Sequence, residues 1–250
     1  MPTENPNLFI FGPTGNLGPT WVETAIESGW NVVGLGLGEP DDSQNNLLLE
    51  YFELDLTNFD QSALMEIYSK YKPSAILFNS GIDSPPGLGK QKIQDFDSDS
   101  WERVFQVNLF GFIRIMNVFL RDPDKLKNVI VIGSMYASSS PNFKLYSHFQ
   151  NGSGSLKHPA YGASKAALKS VIEQYAATLA PHGIRLNMLS PGGVKGNQDL
   201  EFIQKFSDRT PISRLAEAHE LKSSLRYLLD PENTYFTGQN INVDGGYQLW

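Results

Sequence analysis

"FIFGPTGNLGPTW" runs from Phe9 to Trp21 and reads as strand, turn and helix start in one stretch. An apolar run leads into Gly12, Gly15 and Gly18, and a helical pattern begins directly after them. Glycines at this spacing allow a tight turn and let the backbone approach a pyrophosphate closely. The helix N-terminus behind them offers free N–H groups and a partial positive charge. A glycine-rich turn alone also suits a connection with no ligand. At the end of the first strand of a parallel sheet it points to nucleotide binding. Pro13 removes one N–H, so the cradle must rely on neighbouring amides.

Whether the sheet is parallel depends on the rest of the chain. Short apolar runs recur at 7–11, 31–35, 51–55, 75–79, 128–133, 184–189 and 239–243. Several are β-branched and apolar on both faces, as strands covered on both sides by helices must be. Helical patterns lie between them at 17–28, 60–71, 98–120, 160–180, 199–207 and 217–229. Glycines in "SGW" and "HGI" end helices ahead of the next strand. This alternation predicts an α/β fold, a doubly wound parallel sheet of about seven strands with helices on both faces. No repeat or linker divides the chain, so residues 1–250 are expected to form a single domain. Two long polar loops, 83–97 and 138–158, stand out, and loops of that length in a compact domain are usually functional or mobile.

Composition narrows the class. The 250 residues are 40% apolar and 12% aromatic, enough for one substantial core. The formal net charge is −7 with no basic block, which argues against nucleic acid and anionic membrane surfaces as partners. Cysteine is absent, which excludes disulfides and thiolate chemistry. No secretory leader or bilayer-spanning run is visible, and a cytoplasmic protein is expected. His148, His158, His182 and His219 lack metal-ligand spacing, so no metal site is expected.

"AYGASKAAL", 160–168, sets Tyr161 and Lys165 four residues apart at the start of a helix. Side chains at that spacing share a face. The pair is either a surface contact or a phenol whose pKa, near 10 when free, is lowered for proton transfer by a neighbouring ammonium.

The order of further pieces decides between these. "GPTGNLG", "LDLTN" with Asp55, "FNSG" with Asn79 and Gly81, "VNLFG" with Asn108, "VIGSM" with Ser134, "YGASK", "SPGGV" with Pro191 and Gly192, and the ending "TGQNINVDGG" follow one another along nearly the whole chain. In that order they resemble the short-chain dehydrogenase/reductase family. The resemblance implies an NAD(P)-dependent oxidoreductase with Asn108, Ser134, Tyr161 and Lys165 as its catalytic set. Tyr161 would exchange a proton with the substrate oxygen, and Lys165 would lower its pKa and hold the nicotinamide ribose. Ser134 would hydrogen-bond the substrate oxygen, and Asn108 would hold a water linking Lys165 to solvent. The cofactor would lie on Gly12, Thr14, Gly15, Asn16, Leu17, Gly18, Asp55, Leu56, Asn79, Gly81, Tyr161, Lys165, Pro191, Gly192 and Val194.

Three departures refine this picture. Gly36 stands where an acid usually ends the second strand, and either Glu39, Asp41 or Asp42 reaches back to the ribose or these are a solvated loop. No Lys or Arg lies in that stretch or in the glycine turn to hold a 2′-phosphate, which leans towards NAD over NADP. The threonine common after Pro-Gly is absent, leaving Lys195, Asn197 or Gln198 as substitutes. Finally, 27 positions separate Ser134 from Tyr161, so the chain carries an insert between them. With "PGGVKGNQD" and "DGGYQLW", that insert resembles a subgroup found with bacterial surface-sugar and flagellin-glycan biosynthesis, which implies a sugar or nucleotide-sugar substrate.

The insert mixes Ser, Asn and Gln with Phe143, Tyr146, His148 and Phe149, a composition suited to a hydroxylated ring. Tyr146 and His148 are the expected substrate contacts, against the alternative of a plain exposed or interface loop. Two other functions compete: an epimerase or dehydratase using transient oxidation, and a nucleotide-sensing protein without turnover. The first usually needs a larger C-terminal region, and the second tends to lose the tyrosine or lysine. Helix 98–120 is apolar on nearly all faces, and the family pairs such helices, so a homodimer or homotetramer is expected.

Overall fold

The computed structural model describes residues 5–83, 92–149 and 155–249. Positions 84–91 of the first long loop and 150–154 of the second therefore lie outside the described residues.

Seven strands form one sheet: β1 (Asn7–Phe11), β2 (Asn31–Gly36), β3 (Glu50–Glu53), β4 (Ala75–Phe78), β5 (Asn128–Ile132), β6 (Arg185–Pro191) and β7 (Asn240–Val243). Their order is β3-β2-β1-β4-β5-β6-β7, and every neighbouring pair is parallel. The chain winds outward from β1 in one direction, then returns and winds in the other. The reversal leaves a crevice at the carboxyl ends of β1 and β4, where such sheets bind ligands.

Alternation along β1 shows how both faces are covered. Leu8 and Ile10 pack with Trp21, Val22 and Ala25 of α1 (Gly18–Glu27) and with Leu225, Leu228 and Leu229 of α8 (Lys222–Leu229). Phe9 and Phe11 face the other way, towards α3 (Gln61–Tyr71), α5 (Gly111–Phe119) and α6 (Pro159–Leu179). Phe9, Tyr68 and Phe119 form an aromatic knot there, with Tyr68 stacked on Phe119 at 4.4 Å. Gly29 and Gly183 take left-handed backbone at the two helix ends where "SGW" and "HGI" predict stops.

Two departures from the sequence reading bear on the site. A short helix, α2 (Asp42–Asn45), follows β2, with Asp41 as its N-cap. The expected single helix at 98–120 is α4 (Ser98–Phe105), then a π-helical turn over Gln106–Phe110, then α5. Arg114 reaches back from α5 and donates to the carbonyls of Leu56 at 3.1 Å and Gln106 at 3.4 Å, and so holds the widened turn against the loop after β3. Such turns often mark functional positions, and this one carries Asn108.

Candidate active site

One cavity of about 840 Å³ opens along the crevice. It runs from the glycine turn, past the carboxyl ends of β4 and β5, to the first turn of α6 and the loop after β6.

At the first end, packing fixes the glycine turn. A Cβ on Gly18 would sit 2.0 Å from the carbonyl oxygen of Pro13, and one on Gly12 would sit 2.8 Å from Ser80 Oγ. The turn folds this tightly only with glycine there. Asn79 locks it from β4: its Nδ2 donates to the Gly12 carbonyl at 2.7 Å, and its Oδ1 accepts from the Trp21 indole at 2.8 Å. Trp21 is thus a buried prop of the turn as well as a packing residue. Leu17, the N-cap of α1, makes no side-chain cap. The first turn of α1 therefore begins at the cavity with its amides uncapped by a side chain, the feature an anionic pyrophosphate requires.

Thr14, Gly15, Asn16 and Leu17 line this end, with Leu54, Asp55, Leu56 and Thr57 beyond β3. Asp55 accepts from the Thr57 amide and hydroxyl, both at 2.8 Å, which orients its carboxylate. After β2, Gly36 and Leu37 line the cavity, while Glu39, Asp41 and Asp42 are not among its lining residues. Asp41 is committed to α2, accepting from the Gln44 amide at 2.9 Å. A Cβ on Gly36 would stand 3.4 Å from the Gly12 backbone, so the position of the usual acid is packed against the turn itself. An arginine does line the cavity, Arg103 from α4, far from the segment in which the sequence invites a search.

At the second end stand Ser134, Tyr161 and Lys165. Ser134 follows β5, and its Oγ accepts from the Tyr136 amide at 3.1 Å. Tyr161 and Lys165 share the first turns of α6. The Lys165 ammonium lies 5.9 Å from the Tyr161 ring centroid and donates to the Ile132 carbonyl at 2.9 Å. The electrostatics depart from the expected depression of the tyrosine. Burial pushes the phenol up to about 12, Asp83 pushes the same way, and only the Ser134 hydroxyl opposes them. Burial also draws Lys165 down to about 8, against the pull of Asp83. Desolvation of two groups in one apolar corner outweighs their attraction at this separation.

Asn108 lies fully buried beneath. Its Oδ1 accepts from the Ile82 amide at 2.8 Å, and its Nδ2 donates to the Ile82 carbonyl at 2.9 Å and Ser164 Oγ at 3.0 Å. Both amide protons are used, which leaves any water to its oxygen. A Cβ on Gly81 would meet Lys165 Nζ at 3.2 Å and Asn108 Oδ1 at 3.4 Å, so glycine there makes room for both. Pro191, Gly192, Gly193 and Val194 complete this end after β6. Gln198 closes that loop, bonding the Val194 carbonyl and the Gly196 amide, whereas Lys195 turns outward to Glu217 at 2.9 Å.

The model described as enoyl-(acyl carrier protein) reductase matches residues 16–248. The chain belongs to the short-chain dehydrogenases/reductases. It is 28% identical to a 3-oxoacyl-[acyl-carrier-protein] reductase of Buchnera aphidicola over the full length of both chains. It is also 28% identical to a galactitol 2-dehydrogenase (L-tagatose-forming) of Cereibacter sphaeroides over 71% of this chain and 67% of that one. A short-chain dehydrogenase of Leptospira borgpetersenii, solved with bound NAD+, superposes with a TM-score of 0.84 at 26% identity, covering 98% of this chain and 93% of that one. This short-chain dehydrogenase is therefore an enzyme, an NAD(P)-dependent oxidoreductase.

The insert after Ser134 packs into a satellite core. Leu145 and Tyr146 are buried with Tyr136, with Phe202 and Phe206 of α7 (Leu200–Arg209), and with Tyr247. Tyr146 lines the cavity with Tyr136. His148 does not line it, contrary to the sequence reading. Its imidazole turns to α7, with Nε2 2.9 Å from Asp199 and Nδ1 3.2 Å from the Lys205 ammonium. A carboxylate and an ammonium supplied by α7 and its cap hold it away from the site. His158 caps α6, accepting from the Ala160 amide at 3.1 Å, and packs against Phe96 and Trp101. Sequence reasoning missed Asp83, Lys157, Tyr136, Phe202 and Phe206, all of which line the substrate end.

Proposed function

We propose that this oxidoreductase acts on a hydroxyl or carbonyl group of a small polar substrate, a sugar derivative, with Tyr161 as acid and base. Supporting the reading, Ser134, Tyr161 and Lys165 share one cavity with the glycine turn, and that cavity continues into a wall of hydroxyls and charges, Tyr136, Tyr146, Asp83 and Lys157. When bound, the nicotinamide supplies or accepts the hydride and, oxidised, adds positive charge. Gly12, Thr14, Gly15, Asn16, Leu17 and Gly18 would hold the pyrophosphate end, Asp55 and Leu56 the adenine, and Asn79 and Gly81 the middle. Pro191, Gly192 and Val194 would hold the nicotinamide end.

In the direction of reduction, Tyr161 gives its proton to the substrate oxygen, and in oxidation it takes one. Ser134 shares that oxygen, and its hydroxyl favours the ionised phenol. Lys165 places a positive charge beneath the phenol and offers donors to the ribose. Asn108 fixes Ile82 and Ser164, and so the floor on which Lys165 rests. NAD is the preferred cofactor, since neither the glycine turn nor the stretch after β2 carries a basic residue. A homodimer or homotetramer is proposed through the α4–α6 face, where Phe110 is 42% exposed.

The test is to follow reduced nicotinamide by absorbance, with NAD+ or NADP+ and a panel of hexoses and polyols. Net reduction with at least one of them is expected. An isomerised product without net reduction would favour an epimerase, and turnover confined to acyl thioesters would contradict the sugar assignment.

A further inference from the structure

A charged pair stands beside the reacting atoms, outside the Ser134, Tyr161 and Lys165 set that handles the proton. Lys157, at the end of the insert, forms an ion pair with Asp83, just beyond β4. The Lys157 side chain is only 8% exposed, that of Asp83 39%. The Lys157 ammonium lies 5.4 Å from the Tyr161 ring centroid and 5.8 Å from that of Tyr136. Asp83 acts electrostatically on Tyr136, Tyr146, Tyr161 and Lys165 alike, which puts its charge amid the substrate end.

We propose that Asp83 and Lys157 are the specificity-determining pair of this site, holding a vicinal diol of the substrate next to the reacting carbon and rejecting acyl chains. The proposal rests on the sugar reading above and names what enforces it. A substrate entering the cavity removes water from both groups. One hydroxyl can donate to the Asp83 carboxylate while its neighbour accepts from the Lys157 ammonium, so both charges keep their full set of hydrogen bonds. A methylene chain offers neither donor nor acceptor. It would leave a buried ammonium and a carboxylate with each other alone, in a space now stripped of water. Sites built from polar groups discriminate strongly against ligands that cannot pair them. Tyr136 and Tyr146 extend the polar wall, while Phe202, stacked on the buried Phe206, offers the apolar face on which a sugar ring can lie.

The experiment compares wild type, Lys157→Met, Asp83→Asn and Lys157→Arg, with galactitol and a hexose panel on one side and acetoacetyl-coenzyme A on the other. Cofactor Kd, from quenching of protein fluorescence, reports that each variant is folded and binds the nucleotide. Lys157→Met and Asp83→Asn should each raise KM for the polyol about 10-fold or more with cofactor Kd unchanged, and kcat should stay within about 3-fold in Lys157→Met. Lys157→Arg should recover most of the loss, and activity on the thioester should hold or rise in Lys157→Met. Should Lys157→Met fail to fold, Asp83→Asn and Lys157→Arg carry the same comparison. A wild type active on polyols whose KM is unmoved by either substitution overturns this proposal alone. A wild type inactive on every polyol but active on the thioester overturns the sugar reading and this proposal with it.

Discussion

Lys165 points its ammonium at the Ile132 carbonyl, 2.9 Å away, and is drawn down to about 8 by the burial this requires. In an unfolded chain the same lysine titrates near 10.5. Between those values the unfolded chain binds more protons, so this residue makes stability rise with pH, and below about 8 its buried charge costs the full amount. Lys165→Met removes the effect. The stability of the variant relative to wild type should therefore be highest at pH 7 and fall as the pH climbs from 8 to 10.5, by at most about 3 kcal/mol. Thermal unfolding of the cofactor-free proteins at pH 7, 9 and 10 measures this. A difference independent of pH would mean that the lysine is not held in a desolvated place.

Gly18→Ala should damage the cradle more than the fold. The new Cβ would fall 2.0 Å from the Pro13 carbonyl, and backbone must move to admit it. Cofactor Kd should rise about 100-fold while the far-ultraviolet circular dichroism stays that of the wild type, since the strain is confined to the turn. Titration of NADH fluorescence decides it, and an unchanged Kd would show that the turn does not carry the pyrophosphate.

Leu37 is 57% exposed and lines the cavity just after β2, where the chain has neither the usual acid nor a base. NAD(H) should bind more tightly than NADP(H) in the wild type. Leu37→Arg should improve NADP binding about 10-fold, by giving the 2′-phosphate a bidentate partner. Competitive titration checks both statements. Wild-type preference for NADP would instead assign the phosphate to Arg103.

Phe110, on the π-helical turn, leaves 42% of its surface uncovered, with Phe105 and Trp101 partly exposed on the preceding helix. Light scattering at micromolar concentration should give a dimer or tetramer, and Phe110→Asp should shift it to monomer. A monomeric wild type would remove this face as an interface.

Much of the fold was legible in the chain itself. Strands such as "NVIVI" and "AILF" are apolar on both faces and can belong only where helices cover both sides. The glycine turn, Ser134, Tyr161 and Lys165 are local or ordered signals, and the structure brings them to one cavity. What was not legible depends on partners distant in sequence. His148 looked like a substrate contact until Asp199 and Lys205 came beside it. Asp83 and Lys157 look ordinary apart, 74 positions from each other, and acquire meaning only as a pair. The π-helical turn at Asn108 hid inside a continuous helical pattern, because the groups that hold it, Ile82 and Leu56, come from other loops.

Tyr161 is the group proposed to move the proton, and Tyr161→Phe tests that role most directly. The substitution removes one hydroxyl and keeps the ring, so its packing against the satellite core and the cofactor cradle should survive. Initial rates of nicotinamide reduction with the best polyol of the panel, measured beside cofactor Kd, separate chemistry from binding. We predict a loss of about 1,000-fold or more in kcat, within the range attributed to general acid–base groups, with Kd within about 2-fold of wild type. Turnover by Tyr161→Phe within a few-fold of wild type would contradict the mechanism.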